Sequence, residues 1–291
     1  MKLCLACERE FNQESWVCPF CSWMPSLIEG FPAFSPELAN ENDGFSHDAH
    51  HFLDKMQENS FWFRVRNRII QDAIRKYFPL QKNVLEIGCG SGYVLGGIRE
   101  VLPSAKITAT EIYSHCLHYA TKRVRPPAEF LQVDARKLPF KNEFDLVGAF
   151  DVLEHIEEHE VVINNIHQSL KPSGGLILTV PQHPWLWSKV DDISYHKRRY
   201  TRNQLASILR QHGFNIKMNT SFVFFLLPLM LAQRLIRNKN VSQETSRILS
   251  LPKILDKAFE SILELERKAI HRRVNFPIGG SRFVVAMKPP E

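Results

Sequence analysis

Short apolar stretches alternate with amphipathic stretches through the middle of this 291-residue chain. The apolar stretches have the length of buried strands, and most segments between them repeat their apolar residues at the spacing of a helix face. This alternation is typical of an α/β protein with a mostly parallel sheet. The predicted strands are 83–87, 106–111, 129–133, 144–150 and 176–180, and the predicted helices are 92–102, 114–123, 158–170 and 202–212.

Two more strands are predicted near the C-terminus, at 214–222 and 283–287, with a helical insertion at about 223–275 between them. The insertion begins with an apolar run at 222–232, which is too short to span a bilayer. Arg234, Arg237 and Lys239 follow this run. An apolar run with basic flanks can lie in a membrane interface, and it can equally cover an active site or form a dimer contact.

Ahead of the first strand, apolar residues recur at helical spacing from Phe61 to Tyr77. Arg64, Arg68 and Arg75 lie off this apolar stripe. We therefore expect a helix that caps the domain and exposes a solvated basic face.

Four cysteines in residues 1–25 form two Cys-x-x-Cys pairs separated by ten residues. The start Met1-Lys-Leu leaves no room for the apolar region of a secretory signal, so we expect a reducing, cytoplasmic location. In that setting the pairs are predicted to be metal ligands rather than disulfides, and two such pairs complete a tetrahedral zinc site. The predicted ligands of this zinc ribbon are Cys4, Cys7, Cys18 and Cys21.

The role of the ribbon stays open between two interpretations. It can be a small docking module stapled by a structural metal, because a segment this short has almost no core of its own. It can also read a substrate or RNA. A rubredoxin-like iron centre is the minor alternative to zinc. Residues 26–60 are rich in Pro, Asn, Asp and Phe without periodicity, and they are interpreted as a linker.

The overall composition excludes a disordered chain, since 44% of the residues are apolar and 23% are charged. The net charge of +6 makes anionic partners plausible, including a phospholipid surface, nucleic acid and a phosphorylated substrate. Charge alone does not choose among them.

A glycine-rich turn follows the first predicted strand and opens the first helix of the sheet domain. Gly88, Gly90 and Gly92 alternate along it and allow a sharp turn and close approach to a ligand. The dinucleotide fingerprint G-x-G-x-x-G requires a glycine where this chain has Tyr93. A pyrophosphate ligand is therefore disfavoured.

Two carboxylates flank this turn. Glu86 comes two residues before the first glycine, where it suits a ligand with a positive group. Glu111 ends the second predicted strand, where an acidic side chain can accept hydrogen bonds from ribose hydroxyls. A nucleoside that carries a cation is the ligand indicated, and S-adenosylmethionine fits that description.

Taken together, the segments 85–92, 133–135, 144–155 and 172–181 with Glu111 make this chain resemble class I S-adenosylmethionine-dependent methyltransferases. The resemblance covers about 83–222 and 281–288. It implies a methyltransferase domain at 61–291 with a Rossmann-like seven-stranded sheet of order 3-2-1-4-5-7-6, the last strand antiparallel. The cofactor-binding residues that it implies are Glu86, Gly88, Gly90, Gly92, Glu111, Ile112, Asp134, Ala135, Phe150 and Asp151.

Asp151, Glu154 and His155 fall at positions that share one face if this segment is helical. A related spacing binds a divalent metal in some quinone-biosynthesis and RNA 3′-end methyltransferases. Three interpretations remain open: a metal site, a catalytic or polar role for His155 in the pocket, and a structural histidine.

A second group of candidates lies in the loop 181–201, which begins at the end of the fifth strand, where open α/β sheets place their ligands. The loop is dense in Trp, His, Tyr and Arg, and so suits an aromatic or anionic substrate. The plain alternative is that the tryptophans pack the loop and the arginines are solvated. The catalytic candidates are His155, His183 and His196, and the substrate-binding candidates are Trp187, Tyr195, Arg198 and Arg199.

These observations predict a methyltransferase that acts on a small-molecule, glycan or lipid-linked acceptor, with the apolar insertion suggesting contact with a membrane surface. The second hypothesis is an RNA methyltransferase that uses the zinc ribbon as a reader. The third is a binding protein that keeps the fold without catalysis.

Overall fold

A computed structural model describes residues 1–39, 57–236 and 251–290, and within them the chain is built around one nine-stranded sheet. The strands are β1 (Lys2–Leu3), β2 (Glu10–Phe11), β3 (Ser26–Ile28), β4 (Phe31–Ala33), β5 (Asn83–Ile87), β6 (Lys106–Glu111), β7 (Glu129–Gln132), β8 (Phe144–Phe150), β9 (Leu170–Pro181), β10 (Asn215–Phe222) and β11 (Ser281–Met287). The α-helices are α1 (Phe61–Tyr77), α2 (Tyr93–Val101), α3 (Ser114–Arg123), α4 (His159–Ser169), α5 (Lys189–Ile193), α6 (Arg202–Gln211), α7 (Leu227–Ile236) and α8 (Lys253–His271).

The large sheet has the order β10-β11-β9-β8-β5-β6-β7-β4-β3. Its seven strands from β10 to β7 reproduce the predicted order 3-2-1-4-5-7-6. The strands β7, β6, β5, β8 and β9 are parallel, and β11 is antiparallel to both β9 and β10. The predicted fold class is therefore confirmed. The central strands are buried on both faces, which explains why they appear in the sequence as continuous apolar runs.

A short hairpin extends the sheet beyond the predicted seven strands. Gly30 turns between β3 and β4 with a φ of +86°, and β4 runs parallel to β7. The Gln132 side chain fastens the hairpin, because it accepts from the Ser35 amide at 3.1 Å and donates to the Ser35 carbonyl at 2.8 Å. Residues 26–39, interpreted above as part of a linker, are thus an edge of the sheet. The linker residues 40–56 lie outside the described residues.

Helix α1 spans the predicted residues and buries the predicted apolar stripe, including Val65, Ile69 and Ile70. Arg75 is exposed, as expected of a solvated basic face, whereas Arg64 and Arg68 depart from that expectation. Arg64 and Arg68 form ion pairs with acidic residues of α8, so the charged sides of the two helices face each other. The acidic partners are Asp256, Glu260 and Glu264.

The insertion between β10 and β11 contains α7 and α8, as the sequence predicts. Its apolar run is divided in the structure: Val223 and Leu226 are buried, whereas Phe225 and Leu229 remain about half exposed. None of the helices in the described ranges is both long and apolar enough to cross a membrane. Arg237 and Lys239 lie outside those ranges.

Glu266 of α8 holds the start of the insertion in place. It is fully buried and accepts hydrogen bonds from the backbone amides of Phe224, at 2.9 Å, and Phe225, at 3.2 Å. Burial raises the pKa of this carboxyl to about 7, although the two amides oppose the shift.

We expect the pH to act on stability through Glu266. Because its pKa is higher in the folded than in the unfolded chain, its stabilising contribution is complete below about pH 4.5 and is lost as the pH rises to about 7. Glu266→Gln cannot titrate, so the melting temperature of the variant minus that of the wild type should rise between pH 5 and pH 7.5. Thermal melts at both values test this, with Glu160→Gln, an exposed change on α4, as control. An unchanged difference would contradict it.

Candidate active site

The glycine turn joins β5 to α2, and its three glycines meet different constraints. A Cβ at Gly88 would lie 2.6 Å from Val152, and one at Gly92 would lie 2.9 Å from Ala120. A Cβ at Gly90 would meet no protein atom within 4 Å, although its φ is +51°. Packing therefore requires glycine at 88 and 92, whereas Gly90 faces open space, where a ligand can approach the backbone.

Glu111 ties the end of β6 to this turn. Its carboxylate accepts from the amides of Gly90 at 2.8 Å, Ile112 at 2.9 Å and Tyr113 at 3.3 Å. Burial raises the pKa of Glu111, and the three amides counteract that shift. The residue thus lies over the turn, as expected of a ribose-binding carboxylate, and its contact with a ribose stays a prediction.

Glu86 offers the clearest fit to a cationic cofactor. Its side chain is 2% exposed, and one carboxylate oxygen, Oε2, has no hydrogen-bond partner in the described structure. Burial raises the pKa of Glu86 well above its usual value, and the nearby Arg66 opposes this. A buried carboxylate without a full set of donors is costly unless a positive group lies close by. The sulfonium and ammonium groups of S-adenosylmethionine supply such charge.

The predicted adenine side is formed by the ends of β7 and β8. Asp134 accepts from the Arg136 amide at 2.8 Å and so caps a short 3₁₀ turn, Ala135–Lys137. Ala135 and Phe150 are both buried at this edge of the sheet. The structure brings these residues to the predicted place, and their contact with adenine remains a prediction.

Arg66 of α1 is a site residue that the sequence analysis missed. It is 5% exposed and stacks on Trp62, with the guanidinium carbon 4.6 Å from the ring centroid. It forms an ion pair with Asp151. Burial lowers the pKa of Arg66 to about 10, opposed by the carboxylates of Glu86 and Glu154. The sequence feature that could have identified Arg66 is its position, a basic residue within the apolar stripe of α1.

The helical face expected for Asp151, Glu154 and His155 does not form. Asp151 has a φ of +57°, and only Leu153–His155 form a short 3₁₀ helix. Asp151 therefore points to Arg66, apart from the other two. The loop 181–201 instead brings His196 next to His155, with ring centroids 4.8 Å apart.

Asp191 organises this substrate-side loop and was not among the predicted site residues. It is fully buried and accepts from His196 Nδ1 at 2.9 Å and from Arg199 Nε at 2.7 Å and Nη2 at 3.0 Å. Although burial raises the pKa of Asp191, hydrogen bonds from His196 and Arg199 outweigh it and hold the pKa well below its usual range. Arg199 is thus a buried, paired residue that positions the loop.

The other loop candidates are placed less centrally. Trp187 is 40% exposed and donates to Asp192 at 2.8 Å, and Tyr195 is 48% exposed. Arg198 turns toward Glu157, with which it forms an ion pair at 2.9 Å. The three side chains lie on the outer part of the loop, whereas His196 and Arg199 are the ones that bind Asp191.

His183 stands at the start of the loop. Its ring stacks on Trp185 with centroids 4.8 Å apart, and its φ is +63°. Burial lowers its pKa, and Arg282 and Arg199 lower it further. The preceding residue, Gln182, accepts from Arg199 through its carbonyl at 3.1 Å, so His183 lies beside the cluster.

The four N-terminal cysteines converge as predicted, and none of the six cysteines forms a disulfide. Their sulfurs all lie within 4.8 Å of one another, and the pairs Cys4–Cys21 and Cys7–Cys18 are each 3.6 Å apart. A tetrahedral zinc ion about 2.3 Å from each sulfur separates the sulfurs by about 3.8 Å. The thiols therefore fit the metal that their spacing predicts.

The ribbon docks at the opposite end of the sheet from the glycine turn. Trp16 donates to Glu129 at 3.0 Å, and Leu3 donates to the Pro139 carbonyl at 2.9 Å. Glu129 begins β7 and Pro139 lies in the segment that leads into β8, whereas the site described above lies at strand ends. The Trp16 ring also packs edge-on against Phe34, with centroids 4.7 Å apart.

The model of a family described as "Methyltransferase domain" matches residues 55–217, more than half of the chain. The chain belongs to this family. With the glycine turn, the acidic residues and the sheet order described above, it is an S-adenosylmethionine-dependent methyltransferase of class I fold.

Relatives with assigned activities match over limited stretches. A malonyl-[acyl-carrier protein] O-methyltransferase of Priestia megaterium is 25% identical over 116 residues, which are 40% of this chain and 42% of the relative. The juvenile hormone acid O-methyltransferase of Drosophila melanogaster is 32% identical over 100 residues, 32% of this chain and 34% of the relative. The matches thus span less than half the length of these proteins.

Solved structures show the same fold over most of the chain. One belongs to the complex that contains the Haloferax volcanii Trm112 methyltransferase activator; it has a TM-score of 0.57 and 17% identity, and the match covers 86% of this chain and 97% of that one. Phosphoethanolamine N-methyltransferase 2 of Haemonchus contortus has a TM-score of 0.56 and 20% identity, with 85% of this chain and 58% of that one covered.

Gly90→Asp should abolish cofactor binding without unfolding the chain. The new side chain would enter the open space above the turn and place a negative charge there, and Asp tolerates a positive φ better than most residues. Calorimetric titration with S-adenosylmethionine measures the binding, and a thermal melt checks the fold. Gly30→Asp is the matched control, since Gly30 also has a positive φ and open space but lies in the β3–β4 turn. Retained binding by Gly90→Asp would refute the location of the site.

Proposed function

We propose that this methyltransferase transfers the methyl group of S-adenosylmethionine to an oxygen atom of a small-molecule acceptor. The observation that carries this proposal is the His155–His196 pair beside the strand ends. Burial and the neighbouring His196 lower the pKa of His155 to about 4, so its imidazole is uncharged at neutral pH. An uncharged imidazole has a lone pair with which to receive the proton that an oxygen acceptor loses on methylation.

The cofactor carries an activated methyl group, and the protein has to align the acceptor with it and exclude water. Glu86 and Glu111 are the residues that would hold the cofactor over Gly90. Asp191 keeps His196 in one orientation through the hydrogen bond to Nδ1. An acceptor held at His196 would then lie on the side of the site that the loop 181–201 covers. The relatives named above as O-methyltransferases support the same type of acceptor atom.

A lipid-linked acceptor at a membrane surface is the second candidate. Helix α8 exposes Ile254, Leu255 and Leu265, at 82%, 45% and 62% respectively. Lys253 and Lys257 are exposed on the same helix. Apolar side chains with basic neighbours suit an anionic lipid surface. Partition of the protein into anionic liposomes tests this candidate.

RNA ranks below both. The ribbon proposed as a reader lies at the strand beginnings, so it would hold an RNA away from the glycine turn. A salt titration separates the cases, because affinity for RNA falls steeply with salt.

The proposal predicts methyl transfer to a small-molecule fraction and an O-methylated product. The purified protein is incubated with labelled S-adenosylmethionine and with small-molecule, liposome and RNA fractions in parallel, and the labelled product is identified by NMR and mass spectrometry. Gly90→Asp is the inactive control and His212→Gln, a change in the cap of α6, is the neutral one. A methyl group found on nitrogen or carbon would overturn the oxygen acceptor, and label in RNA would favour the alternative.

We also propose that the four cysteines hold one structural zinc ion, in a cytoplasmic setting that keeps the thiols reduced. The purified protein should contain one equivalent of zinc by elemental analysis. Cys18→Ser should lose the metal and lower the melting temperature, because so small a segment depends on it. Cys116→Ser, a buried cysteine of α3, should keep the zinc. A metal-free wild type that melts at the same temperature as the loaded protein would contradict this role.

A further inference from the structure

Glu154 is a buried acid whose carboxylate lacks hydrogen-bond partners among the other residues that the structure describes. The residue is fully buried, and neither oxygen accepts a hydrogen bond from another described residue. Buried polar atoms nearly always have a partner, and an orphaned pair of oxygens in one carboxylate indicates a ligand that completes it.

Two imidazoles lie next to this carboxylate, and each is oriented from its far side. His196 Nδ1 is 2.9 Å from the Asp191 carboxylate, which also accepts from Arg199, so Nδ1 donates to it. His155 hydrogen-bonds to the backbone of Ser194. A neutral imidazole that donates from one nitrogen carries a lone pair on the other. This is the arrangement in which an outer acceptor orients a metal-binding histidine.

We infer that Glu154, His155 and His196 together bind one divalent transition-metal ion, with Asp191 and the Ser194 backbone orienting the two imidazoles. The three donor atoms lie within 4.8 Å of one another. An ion about 2.1 Å from each donor would separate them by about 3 to 3.5 Å. Side-chain rotations that bring the donors closer by up to roughly 1.3 to 1.8 Å would form the site.

The ligand set indicates the kind of ion. Magnesium and calcium prefer all-oxygen sites, whereas imidazoles suit manganese-to-zinc ions, and two histidines with one carboxylate leave coordination positions open. Asp151 is not a ligand, since it pairs with Arg66. The site therefore differs from the set that the local spacing had suggested, because its third ligand comes from the loop 181–201.

An open position on this ion would hold the acceptor oxygen. Of the two arginines in the loop 181–201, Arg199 is paired with Asp191 and Arg198 with Glu157, so neither presents an uncompensated charge to an acceptor. The ion would supply that charge. With the ion in place the two imidazoles would ligate it instead of receiving the proton, and the ion would favour loss of that proton by lowering the pKa of the acceptor oxygen. This role rests on the proposed oxygen acceptor, whereas binding of the metal does not.

The test is titration of the zinc-loaded protein with Mn²⁺, followed by electron paramagnetic resonance of the free ion, and repeated with Co²⁺ by calorimetry. Manganese does not compete for thiolate ligands, so the cysteine site stays occupied by zinc. We expect one site in addition to the zinc. Glu154→Gln and His196→Gln should each weaken binding at least about tenfold, and His212→Gln should not change it.

Stability distinguishes a metal ligand from a purely structural acid. Glu154→Gln removes a buried acid without a partner, so in the absence of added metal the variant should melt at or above the wild-type temperature. Mn²⁺ should raise the melting temperature of the wild type and not that of the variant. Failure of both ions to bind the wild type, or equal binding by the wild type and both ligand variants, would overturn the inference.

The outcomes for the metal and for methyl transfer are independent. Metal binding without an O-methylated product would leave the site in place and refute the proposed acceptor. An O-methylated product from protein that binds neither ion would refute the metal site alone.

Discussion

The arrangement of the site depends on one buried guanidinium. Arg66 reaches from α1 into the strand ends, where it pairs with Asp151 and lies near Glu86 and Glu154. Three acidic side chains surround one positive group in a region nearly closed to water, and burial raises the pKa of two of them, Glu86 and Glu154. Burying charge of one sign is costly, so this region favours further cations. A cationic cofactor beside Glu86 and the divalent ion inferred beside Glu154 would each bring positive charge into this region.

The insertion is tied to the same helix from its other side. Arg64 and Arg68 pair with the acidic residues of α8. Helix α1 therefore contacts the strand ends through Arg66 and the insertion through these two arginines. Partly buried ion pairs between two helices fix their register more than they add stability. A change in the position of α8 would therefore move α1, and with it Arg66.

Much of this structure could be predicted because it is encoded locally. The glycine turn, the cysteine pairs and the stripe of α1 each follow from short-range spacing, whereas the strand order was implied by the family resemblance. The hairpin at 26–33 could not, since its strands are three residues long and gain stability from Gln132, about a hundred positions away. The meeting of His155 with His196 likewise depends on the path of a loop, and the positive φ of Asp151 breaks the helical spacing that the sequence suggests.

The docking of the ribbon has a consequence for biosynthesis. Met1 bonds to Lys141 across a separation of 140 residues, whereas the cysteine pair Cys4–Cys21 spans only 17. On a ribosome that adds about 5–20 residues per second, the surface around Lys141 is made roughly 7 to 28 s after Met1. The thiols can close on a metal long before that surface exists. A metal bound by these thiols would hold the ribbon together before it docks and would protect the four thiols until then.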